Sequence, residues 1–366
     1  MKAIRLLLTA ILALWATGIN AHRLVDGTTL LPLPLASVVD CHGNLVGMTD
    51  DEGEIPPVSA ERYPLTFSYL GYEPQEISQL VTADIALQPL AFNLQEMTVS
   101  PGSHPLLHLT GYMREVSSLF GSADSITICR ESIVDFMVPA GKTKVKGWKK
   151  PRTLASKTYV RMTGAGGKDS VSDHTADDYL LWGDRLGSVP TTIKVPERVQ
   201  DAPSVVSDTT MGKYGPKIIW QKSSDTYRCR LDGLADHEGH IFTPWALKVL
   251  GITTDITDWS HNYALHPSPG TSPSLADMTG FSLSLDLRIR SKLLQTLHNS
   301  KEPLNQKSYI EVYITDREYL TEEDAKLLKK EPPVADAADV MPPPEAPALH
   351  PGVRQIVERV ENQSKK

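Results

Sequence analysis

The sequence predicts a mainly β protein: an N-terminal β-sandwich, a larger antiparallel β-rich domain with few helices, and a Pro-rich C-terminal tail. Three observations support this fold class. Short apolar runs alternate with turn-forming residues over 22–99, polar and apolar residues alternate between 104 and 320, and seven prolines fall within 332–351. With 366 residues, of which 40% are hydrophobic, the chain is long enough to bury the cores of two domains.

The first 21 residues have the composition of a secretory signal peptide. Lys2 and Arg5 precede an apolar run over Leu6–Trp15, and a short polar stretch ends at Ala21, where we expect cleavage. The run is too short to cross a bilayer as a stop-transfer helix. We therefore expect an exported protein that is periplasmic or associated with the outer membrane, with no transmembrane segment in the mature chain.

The charge of the mature chain argues against a nucleic-acid partner. Loss of Lys2 and Arg5 reduces the basic residues from 37 to 35, against 44 acidic residues, for a net charge of −9. Such a chain repels a polyanion.

The sequence contains three widely spaced cysteines, Cys41, Cys129 and Cys229, without a CxxC motif. They allow one disulfide at most, and an oxidising compartment would permit a Cys129–Cys229 pair. The alternative interpretation is that all three are small side chains buried in sheets.

Residues 22–100 are predicted to form the sandwich. Turn-forming residues at Asp40–Asn44 and Thr49–Gly53 separate its short strands. The predicted strands are Leu24-Val25, Leu35–Val39, Leu45-Val46, Leu65–Leu70, Ile85–Leu87 and Met97–Val99.

This region resembles the carboxypeptidase regulatory-like domain. The segments that carry the resemblance are Leu35–Val38, Gly47–Gly53, Leu65–Glu73, Leu87–Pro89 and Leu94–Val99. In the family this domain is a transthyretin-like β-sandwich, common at the N-terminus of exported Bacteroidetes proteins, including TonB-dependent receptors. The resemblance covers about a fifth of the chain. It implies a fold and an exported location, and it implies no activity.

Two tyrosines follow the strongest predicted strand of the sandwich. Side chains alternate along a strand, which places Phe67 and Tyr69 on one face and Leu70 on the other. Gly71 permits a bend, after which the ring of Tyr72 can pack with its hydroxyl at the rim. We interpret both tyrosines as structural, with a ligand-stacking platform as the alternative.

The resembled family takes its name from zinc carboxypeptidases, but the sequence lacks their His-x-x-Glu pair and the zincin His-Glu-x-x-His motif. The nearest arrangement is Asp236–His240, whose spacing on a loop could hold a metal ion. No fourth ligand accompanies it, so a polar turn is the favoured interpretation. Gly-x-Ser-x-Gly and Ser-x-x-Lys are also absent. We therefore predict no catalytic, cofactor-binding or metal-binding residue, no cofactor and no enzymatic activity.

Gly164–Ser170 is superficially similar to a phosphate-binding loop. Met162 stands where that motif needs its first glycine, and Asp169 follows the lysine where Ser or Thr is required. We expect a turn after a strand over Lys157–Met162.

A basic run over Gly141–Arg152 has six positive charges and one tryptophan. It could contact lipopolysaccharide phosphates or an acidic glycan. The favoured interpretation is a solvated loop, or a sheet edge whose lysines prevent pairing with a strand of another chain.

Residues 104–330 are predicted to form the large antiparallel domain. The clearest half-buried strand is Phe281–Ile289, in which Leu and Ile alternate with Ser, Asp and Arg, and Tyr227–Leu231 repeats the pattern. Helices are predicted only near Ala176–Leu186 and Pro244–Leu250. The apolar face of such a sheet requires a cover, which can be a second sheet, a helix or a ligand. A half-barrel with a lipid cavity is the alternative to a sandwich.

The C-terminal part begins with a capping sequence at Thr321–Asp324 and a helix through Lys330. A Pro-rich linker over 331–351 then precedes an amphipathic helix over 352–366. The apolar stripe of this helix consists of Val353, Ile356, Val357 and Val360. One hypothesis is that it binds a partner as a projecting peg, and the alternatives are docking onto its own sheet or fraying.

These features predict a non-catalytic exported cell-envelope protein, an adaptor or binding module for a protein or glycan partner. Its two-part layout is similar to that of exported Bacteroidales proteins. A carrier of a hydrophobic ligand in a half-barrel is one alternative function, and a metal-dependent hydrolase is another.

Overall fold

Residues 22–90 form a small two-sheet sandwich. The computed structural model describes residues 22–90, 104–121, 124–164, 167–174, 180–202, 205–223, 226–237, 248–249, 251–268 and 270–364. The sandwich strands are β1 (Leu24–Asp26), β2 (Ser37–Val39), β3 (Leu45–Met48), β4 (Leu65–Ser68), β5 (Gln75–Ile77) and β6 (Ile85–Leu87). One sheet is antiparallel in the order β3-β2-β4-β5, and β1 and β6 pair in parallel. Both sheets share one apolar core, as a sandwich requires.

Two aspartate-centred turns connect sandwich strands where the sequence predicts them. Asp40 Oδ1 accepts hydrogen bonds from the backbone N–H groups of His42 and Asn44, both at 2.9 Å. Asp50 Oδ1 accepts one from Glu54 N at 2.7 Å. Each turn also contains a glycine with positive φ, which only glycine adopts without strain.

The large domain is one open antiparallel sheet of ten strands. They are β7 (Leu106–Phe120), β8 (Ser125–Pro139), β9 (Trp148–Thr163), β10 (Asp169–Ser172), β11 (Val206–Met211), β12 (Pro216–Ser223), β13 (Thr226–Asp232), β14 (Thr253–Leu265), β15 (Met278–Arg290) and β16 (Leu304–Leu320). Their order is β10-β9-β8-β7-β16-β15-β14-β13-β12-β11. The mainly β fold class with a large antiparallel sheet is therefore confirmed.

Among the described residues helices are few, and most are short. They are α1 (Gly183–Leu186), α2 (Glu197–Gln200), α3 (Lys292–Leu297), α4 (Glu322–Lys330) and α5 (Pro351–Ser364). The predicted cap of α4 is present, since Thr321 Oγ1 accepts from Asp324 N at 3.1 Å. In the part of the chain that the structure describes, no helix has the length and hydrophobicity needed to cross a membrane.

Some predicted elements differ from the structure or lie outside its described residues. The helix predicted over Ala176–Leu186 is reduced to α1, and residues 175–179 lie outside the description. Of the helix predicted over Pro244–Leu250, only residues 248–249 are described, and Met97–Val99 lies outside altogether. Strand β5 was not predicted, because it has a single apolar residue.

One side of the large sheet, called here the apolar face, includes Leu109, Phe136, Phe281 and Ile310. Residues 180–202 cover it, and the buried side chains of this segment are Leu180, Leu181, Val189, Val195 and Val199. Within the described residues, the cover of this face is thus a segment with little regular structure, rather than a second sheet.

A buried ion pair attaches the covering segment, residues 180–202, to the sheet. Glu115 is 0% exposed and accepts hydrogen bonds from Trp182 N at 2.5 Å and Gly183 N at 3.2 Å. Arg130 donates to the same carboxylate at 2.9 Å and to Asp184 at 2.5 Å. Burial raises the pKa of Glu115, although Arg130 opposes this shift. The start of α1 is thus fixed by side chains from β7 and β8.

The opposite side of the sheet, called here the polar face, is covered by the sandwich. The polar residues of β15 were predicted to face solvent, but Ser282 and Ser284 are each only 1% exposed. Leu70 packs against Tyr112 and Tyr313, and Asp51 pairs with Arg230 at 2.5 Å. The polar alternation of these strands therefore marks an interface inside the molecule.

The C-terminal helix covers another part of the polar face. Val353, Ile356 and Val360 of α5 are buried against Cys129 and Tyr159. The hypothesis of a projecting peg is wrong, and the alternative of docking onto the sheet is correct. The linker before α5 also contacts the sheet, where Arg114 donates to Pro347 O at 3.0 Å and Lys157 to Val340 O at 2.9 Å.

The helix docks closely because two glycines meet at its start. A Cβ at Gly352 would lie 2.3 Å from Gly43 N, a distance that no side chain tolerates. Gly43 belongs to the turn between β2 and β3, so α5 contacts the sandwich as well as the sheet.

The Cys129–Cys229 disulfide is not formed. All three cysteines are free thiols. Cys129 lies on β8 and faces α5, whereas Cys229 lies on β13 and packs into the apolar core. Five strand spacings separate them, about 24 Å, whereas a disulfide needs Cα atoms within about 7 Å. The alternative interpretation, small buried side chains, holds for these two residues.

We expect the free energy of unfolding to fall on acidification because of His350. This imidazole is half-buried at the end of the linker, in a small space that Arg114, Glu311 and Tyr309 also line. Burial lowers the pKa of His350 to about 3, and Arg114 adds to the shift. The unfolded chain takes up a proton below about pH 6.5, so this stability is present above that pH and is lost towards pH 3.

Between pH 7 and pH 5 the expected loss from His350 is about 2 kcal/mol. Urea unfolding of the wild type and of His350→Gln at both pH values measures it. The variant is needed because burial also raises the pKa of Glu311. That shift increases the free energy of unfolding on acidification, whereas the shift of His350 decreases it. An equal pH dependence in the two proteins would exclude His350 as its source.

Candidate functional site

An open cleft of about 630 Å³ lies on the polar face beside the sandwich. Four neighbouring strands, β7, β16, β15 and β14, form its floor. Sandwich residues form the wall, namely Val46 and the segment Pro57–Arg62 with its exposed Ser59. The cleft therefore exists only where the two domains meet, a common position for a binding site.

The strand register places a row of four different side chains across the floor. Asp255 lies opposite Arg288, Arg288 opposite Asn305, and Asn305 opposite Phe120. Since adjacent strands are about 4.8 Å apart, the row spans about 14 Å. It presents a carboxylate, a guanidinium, an amide and an aromatic ring in succession.

A second row lies beside the first. Asp286 is paired across the strands with Lys307, and the two side chains form an ion pair. A β-bulge between Ile256 and Asp258 places Thr257 at the edge of this row. Thr257 Oγ1 donates to Asp286 O at 3.2 Å. The bulge thus adds a hydroxyl to the polar floor.

Arg62 joins the wall of the cleft to its floor. Its guanidinium lies 5.5 Å from the ring centre of Phe120 and donates to Asp40 Oδ2 at 2.9 Å. Asp40 also organises the turn between β2 and β3 through Asn44. A cation on an aromatic ring and a buried carboxylate together fix the position of the wall.

The cleft can bind through hydrogen bonds and one aromatic contact. Its floor has two acidic residues, Asp255 and Asp286, opposite two basic residues, Arg288 and Lys307. Among the described lining residues there is no His or Cys that could serve as a base or nucleophile. The arrangement therefore favours recognition of a polar ligand with little net charge.

The two predicted structural tyrosines are confirmed as structural. Tyr69 and Tyr72 are buried, and their ring centres are 5.4 Å apart. The hydroxyl of Tyr72 is not at the rim as expected, since it donates to Asp26 Oδ2 at 2.6 Å inside the core. Burial raises the pKa of both hydroxyls, so neither ionises readily. The φ of Gly71 is 83°, as the bend requires.

The Asp236–His240 segment, interpreted above as a polar turn, is only partly within the described residues. Glu238 to His240 lie outside them, while Asp236 and His237 belong to a turn after β13. The carboxylate of Asp236 accepts from Lys213 N at 3.1 Å and pairs with Lys217. Within the described ranges no three His, Cys, Asp or Glu groups are placed to hold a metal ion.

The basic run forms the connection to β9 and the first residues of that strand. Glu322 accepts hydrogen bonds from Thr143 Oγ1 and Lys144 N, both at 3.0 Å. Lys149 and Lys150 are exposed along β9, which β10 pairs with only at 160–163. This agrees with the interpretation of a sheet edge whose lysines prevent pairing with a strand of another chain.

The phosphate-loop-like segment connects β9 and β10 as the predicted turn, with Gly164 N bonded to Lys168 O at 2.8 Å. The preceding strand β9 is longer than the predicted Lys157–Met162.

The floor of the cleft was not predicted from the sequence. Its residues come from four strands and share no local motif, and Asp286 and Arg288 were noted only as the polar side of β15. The alternation in β15 indicates that Asp286 and Arg288 lie on the same side of that strand. It does not indicate which residues of the adjacent strands lie beside them.

Comparison with known proteins assigns no family. No family model matches the chain, and no curated protein matches it. A solved structure described as showing lipid–protein interactions in lipovitellin is similar at 9% identity, with a TM-score of 0.28. The likeness covers 59% of this chain and 26% of that one, so the chain spans about a quarter of that protein's length. A TM-score this low supports no conclusion about fold or function.

Proposed function

We propose that the protein is a non-catalytic binding module that holds an oligosaccharide in the cleft between the sandwich and the large sheet. The observation that carries this proposal is the row Asp255, Arg288, Asn305 and Phe120, set by the strand register. Carboxylate, guanidinium and amide groups form paired hydrogen bonds with neighbouring hydroxyls, and an aromatic ring packs against the apolar side of a sugar. The row is long enough for two or three sugar units.

A neutral oligosaccharide fits better than a strongly charged ligand. The two acidic and two basic residues of the floor balance each other, and Asp40 pairs with the wall residue Arg62. A protein segment would demand a larger apolar contact than the four apolar lining residues provide, namely Val46, Pro57, Val58 and Phe120.

Calorimetric titration of the chain from residue 22 with maltotetraose, xylotetraose and chitotetraose tests this function. We expect one of the three to bind, and Arg288→Ala to weaken it at least tenfold, because a hydrogen bond from a charged group contributes about 1.5–3 kcal/mol. Arg290→Ala is the matched control, since it removes an exposed arginine from the same side of β15 outside the cleft.

Failure of all three sugars to bind, or equal binding by Arg288→Ala and the wild type, would contradict the proposal. Chromatography of the same mixtures after overnight incubation tests for turnover. Shorter sugars in the wild-type sample would show that the module is an enzyme.

The proposed site of action is outside the cytoplasm. The support is the signal-like composition of residues 1–21 and the resemblance of residues 22–100 to a domain of exported proteins. Fractionation of producing cells, with a variant lacking residues 2–21 as the control, measures this location.

A further inference from the structure

A second pocket lies on the apolar face, on the opposite side of the sheet from the cleft. Its volume is about 210 Å³. Strands β12, β13 and β14 provide its floor, and the segment Pro190–Lys194 provides its roof. The lining residues are Pro190, Thr192, Ile193, Lys194, Ile218, Trp220, Cys229, Leu231 and Tyr263.

The roof of the pocket is held at both ends. Before it, Tyr263 Oη donates to Ser188 O at 3.0 Å, and Val189 N donates to Lys149 O at 3.0 Å. After it, Val195 is buried, and Lys222 Nζ donates to Gln200 O at 2.7 Å. Because both ends are fixed, the pocket exists before any ligand arrives.

The walls are apolar and aromatic. Trp220 and Tyr263 offer ring surfaces on either side of Cys229, and Leu231 extends the floor beside them. The Cys229 thiol also lines the pocket, and burial raises its pKa to about 12, so it remains a neutral, weakly polar wall. A cavity of about 150 Å³ lined by apolar side chains can bind benzene, so about 210 Å³ accommodates a ring with a short extension.

The mouth of the pocket has a positive charge. Lys194 is exposed at the rim, and no Asp or Glu occurs among the described lining residues. Among the described lining residues Lys194 is the one with a charged side chain. An apolar interior with one cation at its opening suits an amphiphile with an anionic end.

We propose that this pocket binds a small carboxylate that has one aromatic ring or a short alkyl chain, with the apolar end between Trp220 and Leu231 and the carboxylate beside Lys194. The volume excludes a two-chain lipid. The site is separate from the oligosaccharide cleft and does not depend on it.

Calorimetric titration of the chain from residue 22 with phenylpropionate, and with the matched neutral phenylpropanol, tests the proposal. We expect phenylpropionate to bind once per chain. Leu231→Trp fills the pocket and should weaken both ligands at least tenfold. Lys194→Met should weaken phenylpropionate about fivefold and leave phenylpropanol within twofold, whereas the control Lys213→Met, at an exposed lysine outside the pocket, should change neither.

Absence of binding by both ligands, or unchanged binding in a folded Leu231→Trp protein, would contradict the proposal that this pocket is a binding site. If Leu231→Trp does not fold, Ile193→Trp fills the space from the roof instead. Equal effects of Lys194→Met on the two ligands would refute the carboxylate contact. We expect Leu231→Trp to bind oligosaccharide as the wild type does. The two titrations therefore test the carboxylate pocket and the oligosaccharide cleft independently.

Discussion

Replacement of Glu115 by alanine is expected to lower the free energy of unfolding by about 3–5 kcal/mol. The substitution leaves Arg130 buried without its main counter-charge, since that guanidinium is almost inaccessible to solvent. It also removes the acceptor for the N–H groups of Trp182 and Gly183. Isolated buried charges and unpaired buried amides are both unfavourable. The cover of the apolar face should loosen at α1 first.

Urea unfolding followed by tryptophan fluorescence measures this loss. The matched control is Asp184→Ala, which removes the other, partly exposed partner of Arg130. Because Asp184 is partly exposed and Arg130 keeps Glu115 as its buried counter-charge, the control should lose less stability than Glu115→Ala. If Glu115→Ala were no more destabilising than Asp184→Ala, the buried pair would not be what holds the cover in place.

Replacement of Ile356 by alanine is expected to cost about 2–5 kcal/mol. Ile356 is 1% exposed in the middle of α5, where it packs in the cluster that contains Val39, Val116 and Tyr309. The lost side chain leaves a cavity shared by the helix, the sandwich and the large sheet. An isolated helix of 14 residues is marginally stable in water. Loss of this contact should therefore detach α5 from the sheet rather than only weaken its packing.

The neighbouring exposed residue provides the control, since Gln355→Ala changes the same helix without changing the core. Urea unfolding gives the stability, and limited proteolysis after residue 340 reports whether the C-terminal segment has come away. A stable Ile356→Ala protein with an uncleaved tail would show that α5 contributes little to the fold.

Local patterns in the sequence identified several strands correctly. The alternation over Phe281–Ile289 predicted β15 because every second side chain must enter a core, and that requirement is independent of what lies above the sheet. The Asp-Gly turns predicted the connections of the sandwich because aspartate and glycine satisfy turn backbone directly.

Predictions about what covers each face were less successful. The amphipathic pattern of Val353, Ile356 and Val360 predicts an apolar contact but not the surface that provides it, so the peg and the docked helix were equally compatible with it. Similarly, Ser282 and Ser284 have the composition of a solvated face. Their burial follows from the position of the sandwich, which no periodicity encodes.

The sequence by itself determined several of the strands, two of the turns and the amphipathic character of the last helix, because each depends on residues close together in the chain. Only the tertiary structure decided the cleft and the apolar pocket. Asp255, Arg288, Asn305 and Phe120 become neighbours through the pairing of four strands, and the nearest two of them in the chain are 17 positions apart. Sites of this kind depend on register and domain packing, which long-range contacts set.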